Sequence, residues 1–154
     1  MCIRDRILDL LRNLQKERGM ALVLITHNMG VVSEMAQNIA VMYAGQVMEQ
    51  QPVASLFASP QHPYTEALLA ALPEYGEAGH RLATIPGVVP GVYDRPAGCL
   101  FAPRCAYATQ HSAAVRPELK TWQGGAVRCH YPLGDPLRQQ AIERDVPIKI
   151  EAVA

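Results

Sequence analysis

Apolar positions open the chain at helical spacing: Ile3, Ile7, Leu10, Leu11 and Leu14 recur along one stripe, while Arg12, Gln15, Lys16, Glu17 and Arg18 fill the other face. This pattern predicts an amphipathic helix, and Gly19 stands where the helix should stop. Residues 21–25, Ala-Leu-Val-Leu-Ile, are a short unbroken apolar run of the kind expected of a parallel strand covered on both faces, ended by Thr26, His27 and Asn28. Val31, Val32, Met35, Ala36 and Ile39 form a second helical stripe. Residues 39–43 then read as another buried strand, Gly45 and Gln46 as a turn, and residues 47–49 as a returning hairpin partner. Helix, strand, helix, strand and hairpin are the tail of an α/β domain.

The pattern then shortens. Residues 52–57 read as a brief helix with Pro near its first turn, broken by Ser59-Pro60-Gln61-His62-Pro63. Thr65 is placed to cap a helix carrying Ala67, Leu68, Leu69 and Leu72, which Pro73 ends. From Tyr75 to Pro96 periodicity fades and Pro86-Gly87 and Pro90-Gly91 mark turns, so this stretch is expected to be a linker or extended arm. Residues 99–132 hold three of the four cysteines and the only Trp with little apolar patterning, as in a module that needs a metal to fold. Trp122, Tyr107 and Tyr131 read as local packing groups, and residues beyond Leu133 as a loosely held tail.

Composition narrows the function classes. With 49% hydrophobic residues the 154-residue chain can bury a core, and 14 basic against 14 acidic residues leave no field that would draw nucleic acid. The apolar runs fall far short of the ~20 residues a spanning helix needs, and no secretory signal is legible, which makes the cytoplasm the expected compartment. There, clustered cysteines serve as metal ligands or buried thiols more often than as disulfides.

A polar Thr-His pair directly after the 21–25 run sits where α/β sheets gather ligands, at the carboxyl end of a strand. By itself His27 could equally satisfy a loop hydrogen bond. However, residues 20–28, Met-Ala-Leu-Val-Leu-Ile-Thr-His-Asn, followed by Ile39-Ala-Val-Met-Tyr-Ala-Gly-Gln46, resemble the end of an ABC-transporter nucleotide-binding domain. The resemblance implies that His27 is the switch histidine that contacts the γ-phosphate of ATP between two subunits and helps to position the attacking water. That family usually has Asp where Asn28 stands. Gln61-His62-Pro63-Tyr64-Thr65, the stretch from Leu82 to Gly91, and Asp94-Arg95-Pro96 resemble oligopeptide and dipeptide importers. Within that resemblance His62 to Thr65 reads as architecture.

Cys99, Cys105 and Cys129 make a thiol cluster in one short segment. The family resemblance implies a further Cys seven residues after the second, in some members as part of a four-cysteine iron–sulfur cluster; here Ser112 occupies that place. Two metal readings stay open: a Cys3His zinc or iron site completed by His111 or His130, or a [4Fe-4S] cluster with a non-Cys fourth ligand. A decayed metal site with reduced, partly buried thiols is the third. A nucleophilic Cys–His pair, with His111 or His130 as base, has neither an oxyanion hole nor an orienting residue to support it.

No Gly-x4-Gly-Lys-Ser/Thr segment occurs in the sequence, and the Gln loop, the Ser-Gly-Gly signature and the Asp-Glu of the Walker B strand are also absent. The resemblance places all of these upstream of the helix at Ile7. Met1 to Arg6 do not resemble the family, which suggests a truncated or chimeric frame with Cys2 accidental. A short regulatory protein is the alternative, against which the expected open strand edges argue.

The sequence therefore predicts an α/β chain: the C-terminal end of an ABC-type P-loop nucleotide-binding domain (residues 1–50, with 1–6 doubtful), a peptide-transporter helical extension and linker (51–96), a small loop-rich cysteine module (97–133) and a tail (134–154). The resemblance implies a fragment of the ATP-hydrolysing subunit that powers di- or oligopeptide import, inactive alone. Its implied cofactors are ATP and Mg2+. The implied partners are a second ATPase subunit, two transmembrane permease subunits and, indirectly, an extracytoplasmic peptide-binding protein, with the subunit peripheral on the cytoplasmic side of the membrane. A non-enzymatic zinc or iron–sulfur interaction module is the competing function.

Overall fold

The computed structural model describes residues 3–72 and 84–148. The Pro73 helix stop, the start of the arm at 75–96 and the last residues of the tail lie outside the described residues.

Helix α1 (Ile3–Arg18) forms where the apolar stripe predicts it. Only Leu8 is buried, while Ile3, Ile7 and Leu10 are more than half exposed, so the stripe faces solvent. The 21–25 run is not a strand: it is irregular, and Val23 and Ile25 are 86% and 96% exposed. An apolar run alone fixes no ladder. A strand needs a neighbour for its N–H and C=O groups, and among the described residues no strand takes that place.

Helix α2 (Met29–Met35) leads into β1 (Asn38–Tyr43), whose alternating burial covers one face rather than two. Strand β2 (Gln46–Pro52) returns antiparallel, with a register shift between Val41 and Met42. The turn is Ala44-Gly45, one residue earlier than expected, with φ of +47° and +80°. Positive φ at both central residues matches the right-handed twist of the strands. Gln123 and Gly124 repeat the device, φ +43° and +80°, between β3 (Lys120–Trp122) and β4 (Gly125–Val127).

Strand β4 pairs with β2 through Glu49↔Val127 and Gln50↔Ala126, which gives one antiparallel sheet of order β1-β2-β4-β3. Gly125 permits that approach, because a Cβ there would collide with the Gln50 carbonyl oxygen. The cysteine segment is thus stitched into the hairpin.

Helices α3 (Val53–Ala58) and α4 (Pro63–Ala70) close the first core, in which Met29, Val32, Ile39, Val41, Leu56 and Leu69 pack together. A second core joins Tyr43 and Met48 of the hairpin to Cys99, Leu100, Phe101 and Ala102, the last opening a 3-10 turn (Ala102–Arg104), and Tyr64 packs against both. Thr65, expected as the cap of α4, lies buried in the first turn instead. His62 is the N-cap, its Nδ1 accepting from the Tyr64 N–H at 2.9 Å, with Pro63 following where a missing N–H costs least.

The described part of the arm, 84–96, has no regular element but is tied down by arginines. Arg104 donates to the carbonyls of Ile85 and Pro86 (2.8 and 2.6 Å), Arg95 to Ala44 (2.8 Å) and Arg116 to Pro96 and Gly98 (2.5 and 3.2 Å). The tail differs from expectation too. Helix α6 (Arg138–Arg144) buries no residue, yet backbone bonds from Gln110 N to Val146 O (2.9 Å) and Ile148 N to Ala108 O (2.9 Å) hold the residues after it beside α5 (Gln110–Ala114). Such bonds leave no side-chain pattern to read. No helix among the described residues is long and apolar enough to cross a membrane.

Candidate functional site

Among the described residues, chemistry-bearing side chains gather in the loop at His27 and around a cavity beneath the turn at 99–105.

At the first, the backbone N–H of Asn28 donates to Thr26 Oγ1 (3.0 Å), and Asn28 Oδ1 accepts from the Val31 N–H (3.1 Å) as the N-cap of α2. Asn and Asp cap helices about equally well, so the residue that departs from the resembling pattern keeps a carboxylate's local function. His27, between these anchors, is exposed and makes no hydrogen bond to the described residues. Its ring is free to meet a group from outside the chain.

At the second, Cys99, Cys105, Cys129, Ser112, His62 and His130 line one cavity of about 20 Å³, room for a single water-sized atom. All three cysteines are free thiols. Burial pushes each thiol up: Cys99 above its ordinary value, Cys105 to about 11 and Cys129 to about 12, the last two further raised by neighbouring thiols. They are protonated near neutrality and poor nucleophiles, which removes the Cys–His acyl-transfer reading.

His111 is exposed and off the cavity wall; its backbone N–H donates to the Asp145 carboxylate (3.2 Å) and its ring lies edge-on to His130 at 4.4 Å. His130 is on the wall, with Nε2 bonded to the Val115 carbonyl at 2.9 Å. Ser112 is committed elsewhere. Its hydroxyl accepts from the Thr109 N–H (2.8 Å) and donates to the Thr109 carbonyl (2.9 Å), while Thr109 Oγ1 accepts from the Ser112 N–H (3.2 Å). These bonds form the reciprocal cap of α5. Among the described residues no group of three or more His, Cys, Asp or Glu side chains is disposed to hold a metal ion. The donor set therefore does not fit a four-thiolate cluster.

His62 adds a group that its sequence reading as architecture did not single out for chemistry. It is 1% exposed, and with Nδ1 accepting, Nε2 carries the proton but makes no well-formed hydrogen bond, its contact with the Arg128 backbone being a weak one. Burial lowers its pKa to about 3, opposed only in part by the Arg128 backbone. Because the folded value lies below the unfolded one, the stabilising effect is complete above pH 6.5 and is lost as the pH falls from there toward 3. At pH 5 the loss should be about 2 kcal/mol. Urea denaturation at pH 7.5 and 5 should show it in the wild type and not in His62→Asn, which can still cap α4. Equal losses in both proteins would refute the assignment.

Below His62 lies a polar network with no counterpart in the sequence reading. The fully buried Glu49 carboxylate accepts from Gln51 Nε2 (2.5 Å) and from the backbone N–H groups of Gln61 (2.7 Å) and His62 (2.9 Å). Gln61 in turn donates to Ser59 and accepts from Trp122 Nε1 (2.9 Å) and the Gly134 N–H (3.0 Å). Trp122, read as a packing anchor, is also a hydrogen-bond tether. The one available signal was Glu49 itself, the single acidic residue in a strand that reads Gln-Val-Met-Glu-Gln-Gln-Pro.

Residues 48–111 match the family described as oligopeptide/dipeptide transporter, C-terminal region. The chain is 53% identical to the dipeptide transport ATP-binding protein DppD of Escherichia coli over 134 residues, 86% of this chain and 41% of that protein. It is 48% identical to DppD of Haemophilus influenzae over 141 residues, 90% of this chain and 43% of that protein. A putative peptide import ATP-binding protein of Brucella ovis is 48% identical over 123 residues, 76% of this chain and 36% of that protein. The chain thus spans about two fifths of the length of these relatives.

Proposed function

We propose, from the match of residues 48–111 to the oligopeptide/dipeptide transporter C-terminal region, that the chain serves as part of the ATP-hydrolysing subunit of a di- or oligopeptide importer. In this reading the subunit lies on the cytoplasmic face of the membrane. It pairs with a second ATPase subunit and docks on two permease subunits, which link it indirectly to an extracytoplasmic peptide-binding protein. ATP with Mg2+ is its substrate.

The observation that carries the proposal is the exposed His27 in a loop pre-set by the Thr26 and Asn28 hydrogen bonds, within a sequence 53% identical to a dipeptide transport ATP-binding protein. Its imidazole would reach the γ-phosphate and the attacking water at a nucleotide held chiefly by other parts of the subunit, since these 154 residues contain no phosphate loop. Charge that develops on the transferring phosphoryl group is where such a donor acts most strongly. Taken alone, the chain is expected not to hydrolyse ATP.

The test uses the complete subunit that contains this region, assembled with its permeases. His27→Ala should lower ATP turnover by about 100-fold while nucleotide binding persists. Turnover equal to that of the unmodified subunit would remove the switch role.

A further inference from the structure

His27 projects from a loop whose two sides are held very unequally. On the C-terminal side the chain enters α2 at once. Asn28 Oδ1 accepts from the Val31 N–H (3.1 Å), the Asn28 carbonyl accepts from the Val32 N–H (3.2 Å), and Met29 and Val32 are packed into the first core. On the N-terminal side residues 20–26 have no regular element, and residues 23–26 are exposed. Among the described residues a single hydrogen bond reaches residues 20–27, that of the Asn28 N–H to Thr26 Oγ1 at 3.0 Å. We infer that Thr26 is a positioning residue for His27: its hydroxyl oxygen closes a turn across residue 27 and so sets the direction in which the imidazole leaves the loop. The inference rests on the switch role of His27 proposed above.

A side-chain oxygen that takes the N–H two residues further on closes a ring over the backbone of the residue between them. Residue 27 has little else to hold it. It is exposed, and its ring makes no hydrogen bond to the described residues. The direction of the ring is therefore set by the backbone of residue 27, with the core-anchored helix behind it and the Thr26 bond in front. Without that bond the backbone of residue 27 is free to leave its conformation, and a smaller fraction of molecules presents the ring to the nucleotide. One such bond shifts a conformational equilibrium by a factor of about 2–10. The loss falls on the chemical step, because a displaced catalytic group slows reaction without releasing a substrate held elsewhere.

Threonine brings two features that substitution separates. Valine keeps the β-branch that stiffens the side chain and loses the acceptor, whereas serine keeps the acceptor and loses the branch. Neither change touches a core, because Thr26 is exposed.

The experiment uses the complete subunit that contains this region, assembled with its permeases, and compares wild type, Thr26→Val, Thr26→Ser, His27→Ala and the double variant Thr26→Val/His27→Ala. Thr26→Val should lower kcat about fivefold with KM for ATP unchanged, and Thr26→Ser should stay within about twofold of wild type. In the His27→Ala background Thr26→Val should have no further effect, since a residue that acts through another loses its influence when the other is gone. Wild-type turnover in Thr26→Val beside a slowed His27→Ala overturns this inference alone. So does a Thr26→Ser variant as slow as Thr26→Val, a change confined to KM, or a Thr26→Val effect that persists in full without His27. Wild-type turnover in His27→Ala removes the switch role, and this inference with it.

Discussion

Glu49→Ala should destabilise the chain by about 3–5 kcal/mol, because it strips the acceptor from three buried donors at once. The carboxylate is fully buried and no cation pairs with it; the ion pairs among the described residues lie on α1. It is instead solvated by the Gln51 amide and by the N–H groups of Gln61 and His62, immediately ahead of α4. Each donor left without an acceptor costs about 1–3 kcal/mol, and a negative charge at the start of a helix is lost as well. Neither Gln61 nor His62 can turn to water, since both are almost fully buried. Denaturant titration with an unchanged m-value would register the loss as a lower midpoint. Gln50→Ala, at the exposed next residue, should fall within about 0.5 kcal/mol of wild type. Glu49→Gln should lie between the two, since one of its two terminal positions would present an N–H to donors. A loss below about 1 kcal/mol in Glu49→Ala would mean that the network is decoration rather than the link between β2 and α4.

The legible part of the fold is the part whose side chains repeat with the backbone: the α1 stripe and the hairpin from residue 38 to 52. His27 and Asn28 are legible as a loop after an apolar run and before a helical stripe. The run at 21–25 misleads, since apolar character measures the wish to be covered and not the presence of a partner strand. Glu49 and Gln61 are opaque, because a buried acid is recognised by its donors and those come from positions 51, 61 and 62. The cap of α5 escapes for a chemical reason: the usual sign of a capping box is Ser or Thr followed three residues later by Glu or Gln, whereas here Thr109 is answered by Ser112. The three thiols are legible as a cluster and Ser112 as the residue in place of a further Cys, but the bonds that tie Ser112 to Thr109 and the burial of His62 against the same cavity are not.

The second core makes the same point through packing, and it carries the other large expected effect. Phe101→Ala should cost about 3–5 kcal/mol. Nothing periodic surrounds Phe101, yet it is 2% exposed and meets Tyr43 edge-on at 5.4 Å, Tyr64 at 5.3 Å and His62 at 5.9 Å. These partners come from β1 and the start of α4, so one ring joins the cysteine segment to both halves of the preceding fold. Truncation removes the ring's burial and its edge contacts together, and the void cannot collapse easily. One side is pinned by the Glu49 hydrogen bonds to Gln61 and His62, and the other by the backbone bonds of the 99–105 turn. Phe101→Leu, which keeps most of the volume, should cost less than half as much. The two variants should also separate in thiol labelling: Cys99 and Cys105 sit in or against the same core, so opening it should speed their modification in Phe101→Ala well beyond Phe101→Leu. Equal stability of wild type and Phe101→Ala would show that the cysteine segment is held by its β4–β2 ladder alone, with the aromatic cluster a bystander.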